Sequence, residues 1–273
     1  MSLALAIKGP EGVVLGAESR YSFFDRAADG SAEAGKRCEY EVHDGVLKLF
    51  SFGGPHRWCA GAIVWSRSDM NLYECVPEIQ GRLPAHRARV SEYARHVHEV
   101  LSSHAERGTI EAQVIVAGFD EGEATARVFA IEIPSGQEPI EQHAGAYGIT
   151  YGGQRDFIDR LLLGYDSLLR PDADARKAVL TTLPLATMPL ADCFELAVYL
   201  IRTTIEVQRF GIGMQCSGGP IDVVFMTAQD GLFYRRQGEA QGPRSLRCDL
   251  TALPEIATSA PVEISRLATY TVS

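Results

Sequence analysis

The sequence predicts an α+β protein in which helices lie against antiparallel sheets. Strand-like and helical patterns come in blocks (strands, helix, strands, helices, strands) and not in the regular alternation of a parallel βαβ fold. Two segments are long enough, at helical period, to cover a sheet face: one from about Pro84 to Arg107 and one from Leu190 to Phe210. No Pro/Ser-rich linker, internal repeat or low-complexity stretch divides the chain, so residues 1–273 are expected to form a single domain with a sizeable core.

The elements follow in order. "LALAI" and "GVVLGAES" are apolar runs joined by the turn "KGPEG", the pattern of a tight hairpin. "YSFFDRAADGSAEAGKRCEYEVHDG" is polar and rich in small residues until "CEYEV", and reads mostly as a surface loop. "GVLKLFSF" and "HRWCAGAIVW" form the next strand pair across "GGP". Val90, Tyr93, Ala94, Val97, Leu101 and His104 then fall on one helical face, with Gly108 as the stop signal. "AQVIVAGFD" and "ARVFAIEIP" flank the turn "EGEAT", and "DFIDRLLLGYD" reads as a short helix. In "LADCFELAVYLIRTTIEVQRF" the residues Leu190, Phe194, Ala197, Ile201 and Ile205 keep helical register. "PIDVVFMTAQDGLFYRR" reads as a hairpin and "PVEISRL" as a last strand.

Composition narrows the class. The chain is 46% hydrophobic, 22% charged and 8% aromatic, which is ordinary globular usage. Its net charge of -9 is dispersed, and the longest basic cluster, "HRARVSEYARH", reads as a solvated helix face and not as a nucleic-acid site. Six scattered cysteines (Cys38, Cys59, Cys75, Cys193, Cys216, Cys248) form neither a CxxC pair nor a disulfide framework, and fit a reducing compartment. With no signal-peptide pattern at the start and no apolar run near bilayer length, the expectation is a cytoplasmic protein without membrane or nucleic-acid partners.

Five segments carry a resemblance. "SLALAIKGPEGVVLGAESR", "LKLF", "CAGA", "VIVAGFD…RVFAIEIPSG" and "SGGPIDVVFMTAQDG" resemble, in that order and nearly at the family's spacing, a proteasome β-type subunit. "YGITYGGQRDFIDRLLLGYD" is similar to the ancestral bacterial β-subunit branch. The match covers most of the chain, with an insertion between Arg20 and Lys48, and no helix precedes the first strand as in α-type subunits. The resemblance implies the N-terminal nucleophile hydrolase fold, a four-layer α-β-β-α sandwich. It also implies peptide hydrolysis inside a homo-oligomeric ring or related multimer, with unfolded protein or peptide substrates and no cofactor or metal, and leaves an ATPase partner open.

The same resemblance implies the site. Removal of Met1, which the small side chain of Ser2 permits, gives Ser2 a hydroxyl nucleophile and an α-amine base, the amine having a reference pKa of about 8. Lys48 falls on the family's active-site lysine, whose cation lowers the pKa of the nucleophile, and Glu18 on its acidic partner. Gly61 aligns with the glycine whose N–H forms the oxyanion hole, and Ser217 with a serine supporting the N-terminal amine. Two positions depart from the family pattern: Met214 stands where an acidic residue precedes the "SGG" serine by three, and Gly153 where the family has a helper serine. A catalytically degenerate structural subunit is therefore one alternative, and an amidase acting on small amides is another.

Taken one at a time, these residues have ordinary explanations. Ser2 is common after an initiator Met, Lys48 suits an edge strand, Glu18 a solvated strand end, Gly61 a bulge or close contact, and Ser217 the "SGG" turn. His96 and His98 diverge on a helix and "HEVLSSH" is not HExxH, so no metal site is expected. Cys216 reads as a small buried hydrophobe, and "GPEG" and "YGGQ" read as turns without phosphate-loop context.

Overall fold

The computed structural model describes residues 2–24, 40–68, 72–106, 110–134, 137–164, 183–210 and 215–237. The opening stretch folds into β1 (Leu3–Lys8) and β2 (Val13–Glu18), a hairpin closed by Gly9 N–H donating to Gly12 O at 2.9 Å. Both strands are buried on every residue, as expected where both sheet faces are covered. Leu3, Leu5, Ile7 and Val14 pack toward a helix, whereas Ala4, Ala6, Leu15 and Ala17 face a second sheet.

The first sheet runs β10-β1-β2-β11-β12, with β10 at Gly148–Gly153, β11 at Ile221–Thr227 and β12 at Gly231–Gln237. The second runs β5-β6-β7-β8-β9, from Leu49–Ser51 through Cys59–Ser68, Ile110–Gly118 and Arg127–Ile133 to Ile140–Gln142. All neighbours in both sheets are antiparallel. Helix α1 spans Val76–Gly81, α2 Val90–Ala105, α3 Asp156–Leu163 and α4 Leu190–Phe210. Three apolar clusters hold these parts together: one between α2 and the second sheet, one between the two sheets, and one between the first sheet and α3 and α4. The protein is thus mixed α/β with antiparallel sheets. Among the described residues, no helix is long and apolar enough to cross a membrane.

The "KGPEG" turn is fastened to α4. Glu11 Oε2 accepts the Leu190 N–H at 2.8 Å, filling one orphan donor at the helix start. A Cβ on Gly9 would stand 2.9 Å from Cys193 Sγ, and one on Gly12 3.0 Å from Leu190 Cδ1, so both glycines permit close approach.

Three expectations change, and one element is new. The stretch after Arg20 is not only loop: β3 (Arg20–Phe24) and β4 (Tyr40–Asp44) pair antiparallel, with the Arg20 guanidinium forked on Asp44 at 2.7 and 2.8 Å. The helix begins at Val90 and not at Pro84: Arg89 is still extended, at φ -77° and ψ 151°, and the Val90 N–H is met from outside the helix by Asp120. A short helical stretch at 72–81 precedes it, too brief to leave a periodic signature. "YGG" is the end of a strand beside β1 and not a turn. The "PVEISRL" strand, the Gly108 stop signal, Met1 and Met214 lie outside the described residues.

Candidate active site

Glu18 is the centre of the site. Its carboxylate is 0% exposed and accepts four hydrogen bonds, which is as many as its lone pairs provide. Oε1 accepts the Leu3 N–H at 3.2 Å and the Lys48 ammonium; Oε2 accepts the Arg20 N–H at 2.8 Å and the Gly218 N–H at 3.0 Å. One side chain at the end of β2 therefore ties together the start of β1, the start of β3, the 215–220 loop and Lys48.

Lys48 is 4% exposed, and burial pushes its pKa below the usual lysine value. The adjacent Glu18 carboxylate opposes that shift by charge and hydrogen bond, and Asp222 and Asp44 oppose it by charge. Breaking such a buried pair by removing one partner typically costs about 3–5 kcal/mol. The segment leading to Lys48 hangs from Ser19, whose carbonyl accepts the N–H groups of Gly45 at 3.0 Å and Val46 at 2.9 Å.

Ser2 is half-buried beside this cluster. The N–H bound to Glu18 Oε1 belongs to the Ser2–Leu3 peptide, so Ser2 is one residue from the oxygen that also holds Lys48. Ala4 and Ala6 point between the sheets, and the period of two carries Ser2 to that same side. The Ser2 carbonyl accepts the Gln154 N–H at 2.8 Å. Gly153, at φ 81°, passes so close that a Cβ there would overlap the Ser2 carbonyl oxygen and stand 2.9 Å from its carbon. Where sequence reading found a missing helper serine, the backbone has no room for a side chain.

Ser217 is 2% exposed, its N–H donates to Gln208 Oε1 at 2.9 Å, and the next N–H is the one held by Glu18. Its hydroxyl is buried with no hydrogen-bond partner among the described residues. Cys216 is buried next to it.

No protein-family model matches the chain, and no curated protein matches it by sequence. Solved structures do match. A Gly-1 mutant of Anbu from Hyphomicrobium sp. strain MC1 superposes at TM-score 0.56 with 17% identity, over 86% of this chain and 87% of that one. The chain has the fold of Anbu. A second Anbu structure from the same strain gives 0.54 at 16% identity, covering 88% of each chain. Anbu, "ancestral beta-subunit", from Yersinia bercovieri gives 0.53 at 16% identity, over 87% of this chain and 88% of that one. The expected likeness to the ancestral β-subunit branch thus holds at the level of fold.

Within this Anbu-like fold, Ser2, Glu18, Lys48 and Ser217 come together and Gly61 does not join them as a free donor. Gly61 lies in mid-β6, paired with Phe50 on one side and Val116 on the other. Ile63 N–H donates to Lys48 O at 2.8 Å, and residues two apart share a ladder side, so the Gly61 N–H is directed at Phe50 in a hydrogen-bonded pair. Its missing Cβ makes room for the Phe50 ring, the close-packing role open to a strand glycine. On its other side β6 carries a bulge against β7 between Ile63 and Trp65, and the Val64 carbonyl there lies near Gly153. Sequence reading also missed Gln154 and Arg20 as supports. Arg20 was legible only as the residue after "GAES", and its guanidinium lies against Gly218.

Among the described residues, no group of His, Cys, Asp and Glu is arranged to hold a metal ion. His104 Nε2 meets Glu78 Oε2 at 2.8 Å, away from the site.

Proposed function

We propose that the chain is a proteasome-like N-terminal nucleophile hydrolase that cleaves peptide bonds with Ser2, exposed by removal of Met1. The observation that carries this reading is the shared Glu18 oxygen, which puts the Lys48 cation beside the Ser2–Leu3 peptide in a buried setting. The three apolar clusters are then those of an α-β-β-α sandwich, with the whole chain, 1–273, as one unit. In this reading the α-amine of Ser2 takes the hydroxyl proton as Oγ attacks the substrate carbonyl. It returns that proton to the leaving amine, and water then releases the acyl group from Oγ. Lys48 disfavours added positive charge on the amine and stabilises the alkoxide. Glu18 keeps Lys48 in place, and Ser217, whose buried hydroxyl has no partner among the described residues, supports the amine. The substrates are unfolded proteins or peptides, reached in a cytoplasmic homo-oligomer.

One observation favours the alternative of a structural subunit without chemistry: the ladder directs the Gly61 N–H at Phe50, so the expected oxyanion donor is committed elsewhere. Intact-mass analysis of the native protein, turnover of unstructured peptides and labelling by an epoxyketone separate the readings. A peptidase loses Met1, turns over peptide, is labelled on Ser2, and loses at least about 1,000-fold in rate as Ser2→Ala. Retained Met1, or turnover unchanged in Ser2→Ala, overturns it. Hydrolysis of small amides without proteolysis selects the amidase.

A further inference from the structure

We propose that Asp159 is a positioning residue for Ser2: a buried carboxylate on α3 that, through Tyr151 and Arg155, fixes the strand-to-helix turn whose backbone holds the Ser2 carbonyl. The consequence for catalysis rests on the Ser2 reading above; the hold on the turn does not.

The turn begins with residues that have no side chain to anchor them. Gly152 and Gly153 end β10, paired with Ala4 and Leu3 of β1. Neither position admits a side chain, since a Cβ on Gly152 would overlap Gln113 Oε1 and one on Gly153 would overlap the Ser2 carbonyl oxygen. Two glycines in succession gain close approach to their neighbours and give up the conformational restriction that a Cβ supplies. Gln154 then donates its N–H to Ser2 O at 2.8 Å, and the Arg155 N–H turns back to Gly153 O at 2.9 Å before α3 begins.

Asp159 closes a bracket around this segment. It is 0% exposed; its Oδ1 accepts Tyr151 OH at 2.7 Å and its Oδ2 accepts Arg155 Nε at 3.0 Å. Tyr151 stands just before the two glycines and Arg155 just after Gln154, so one carboxylate holds both ends of residues 152–154. The register agrees: Tyr151 pairs with Leu5, and both belong to the apolar cluster that contains Ile158 of α3. The Arg155 guanidinium also lies over the Tyr151 ring, 5.7 Å from its centroid.

Helix formation alone does not account for Asp159. A negative charge is favoured in the first turn, but both oxygens are turned to the side chains that flank the glycines. Taking a carboxylate out of water is costly, and a half-exposed arginine offsets that only in part. What the arrangement does is fix the separation of Tyr151 and Arg155, and with it the direction of the Gln154 N–H. Ser2 hangs from that N–H by its carbonyl, and misplacement of a reacting group by about 1 Å can cost about 100-fold in rate.

Amide hydrogen exchange reads the hold on Ser2 without any substrate. Asp159→Leu leaves no buried charge unpaired, because Arg155 is half-exposed. In this variant the Gln154 N–H is expected to exchange at least about tenfold faster relative to Val223 and Phe225 of β11, two hydrogen bonds to a charged group having been lost. Tyr151→Phe, which deletes one hydroxyl from a half-buried ring, moves the ratio the same way and decides the matter should Asp159→Leu not fold. Asp159→Asn, whose amide oxygen still accepts the tyrosine hydroxyl, retains most of the protection. A general loss of stability would speed all three amides alike, so a ratio unmoved in the folded variants overturns the proposal. In peptide turnover Asp159→Leu lowers kcat with little change in KM, and an unchanged kcat likewise overturns it. A natural protein that turns over no peptide refutes the Ser2 reading and leaves amide exchange to judge Asp159.

Discussion

Gly153 is where the residue scale is sharpest. Its φ of 81° is left-handed, and a Cβ there would run into the Ser2 carbonyl, so two separate costs attach to any side chain. Gly122 isolates the first, since it has φ 79° and open space around it. Gly122→Ala is expected to cost about 1–2 kcal/mol, the ordinary left-handed penalty. Gly153→Ala is expected to cost about 2–4 kcal/mol and to reduce Ser2-dependent turnover in the molecules that remain folded. Urea unfolding of both variants checks this, and equal losses would mean that Ser2 yields to the methyl group. The same pair marks the limit of sequence reading. Ser2, Glu18, Lys48 and Ser217 were singled out only through the ordered resemblance, which carries side-chain types along the chain, since each alone reads as an ordinary residue. The roles of Gly61 and Gly153 were not legible, because they depend on the direction of an N–H and on the approach of a backbone, and neither is written in a residue type.

Among the elements, α2 shows how a helix start is settled by a distant strand pair. Arg89 stands at the N-cap, and its side chain can donate but cannot accept, so it cannot cap the helix itself. Glu92 accepts the Arg89 N–H at 3.0 Å, and Asp120, just beyond β7, accepts the Val90 N–H at 2.7 Å. Asp120 Oδ2 also holds Arg127 Nη1 at 3.1 Å, which locks the helix to the β7–β8 hairpin. Asp120→Ala is expected to lower stability by about 1–3 kcal/mol while leaving turnover per folded molecule unchanged, because it touches no part of the Glu18 cluster. Chemical denaturation and peptide turnover measured together check it; a loss of turnover in folded protein would reveal coupling between α2 and the site. Periodicity located α2 and α4 because a long apolar stripe repeats many times. It missed β3, β4 and β10, which are short and gain their stability from partners far along the chain, β10 on β1 above all.

At the scale of the whole molecule, the three apolar clusters bury groups that would otherwise ionise, and this ties stability to alkaline pH. Burial raises the Cys59 thiol well above its usual range and pushes Cys193 up to about 12. A group whose folded pKa is raised contributes stability that is complete below its unfolded pKa and is lost as pH rises toward the folded value. For Cys193 that window runs from about 9 to about 12. Lys8 and Lys48 act with the opposite sign, since burial lowers them and the folded protein gains as pH climbs toward their unfolded value. Comparing the natural protein with Cys193→Ala removes the lysines from the difference, because both proteins contain them. Within the window, one proton released only on unfolding is worth a slope of about 1.4 kcal/mol per pH unit. Urea unfolding at pH 9, 10 and 11 is expected to show the natural protein losing stability more steeply than Cys193→Ala by about that slope, even though the alanine is less stable at pH 7. Parallel pH dependences would mean that the thiol ionises in the folded state, and that the β1–β2 turn and α4 part to admit water around Cys193.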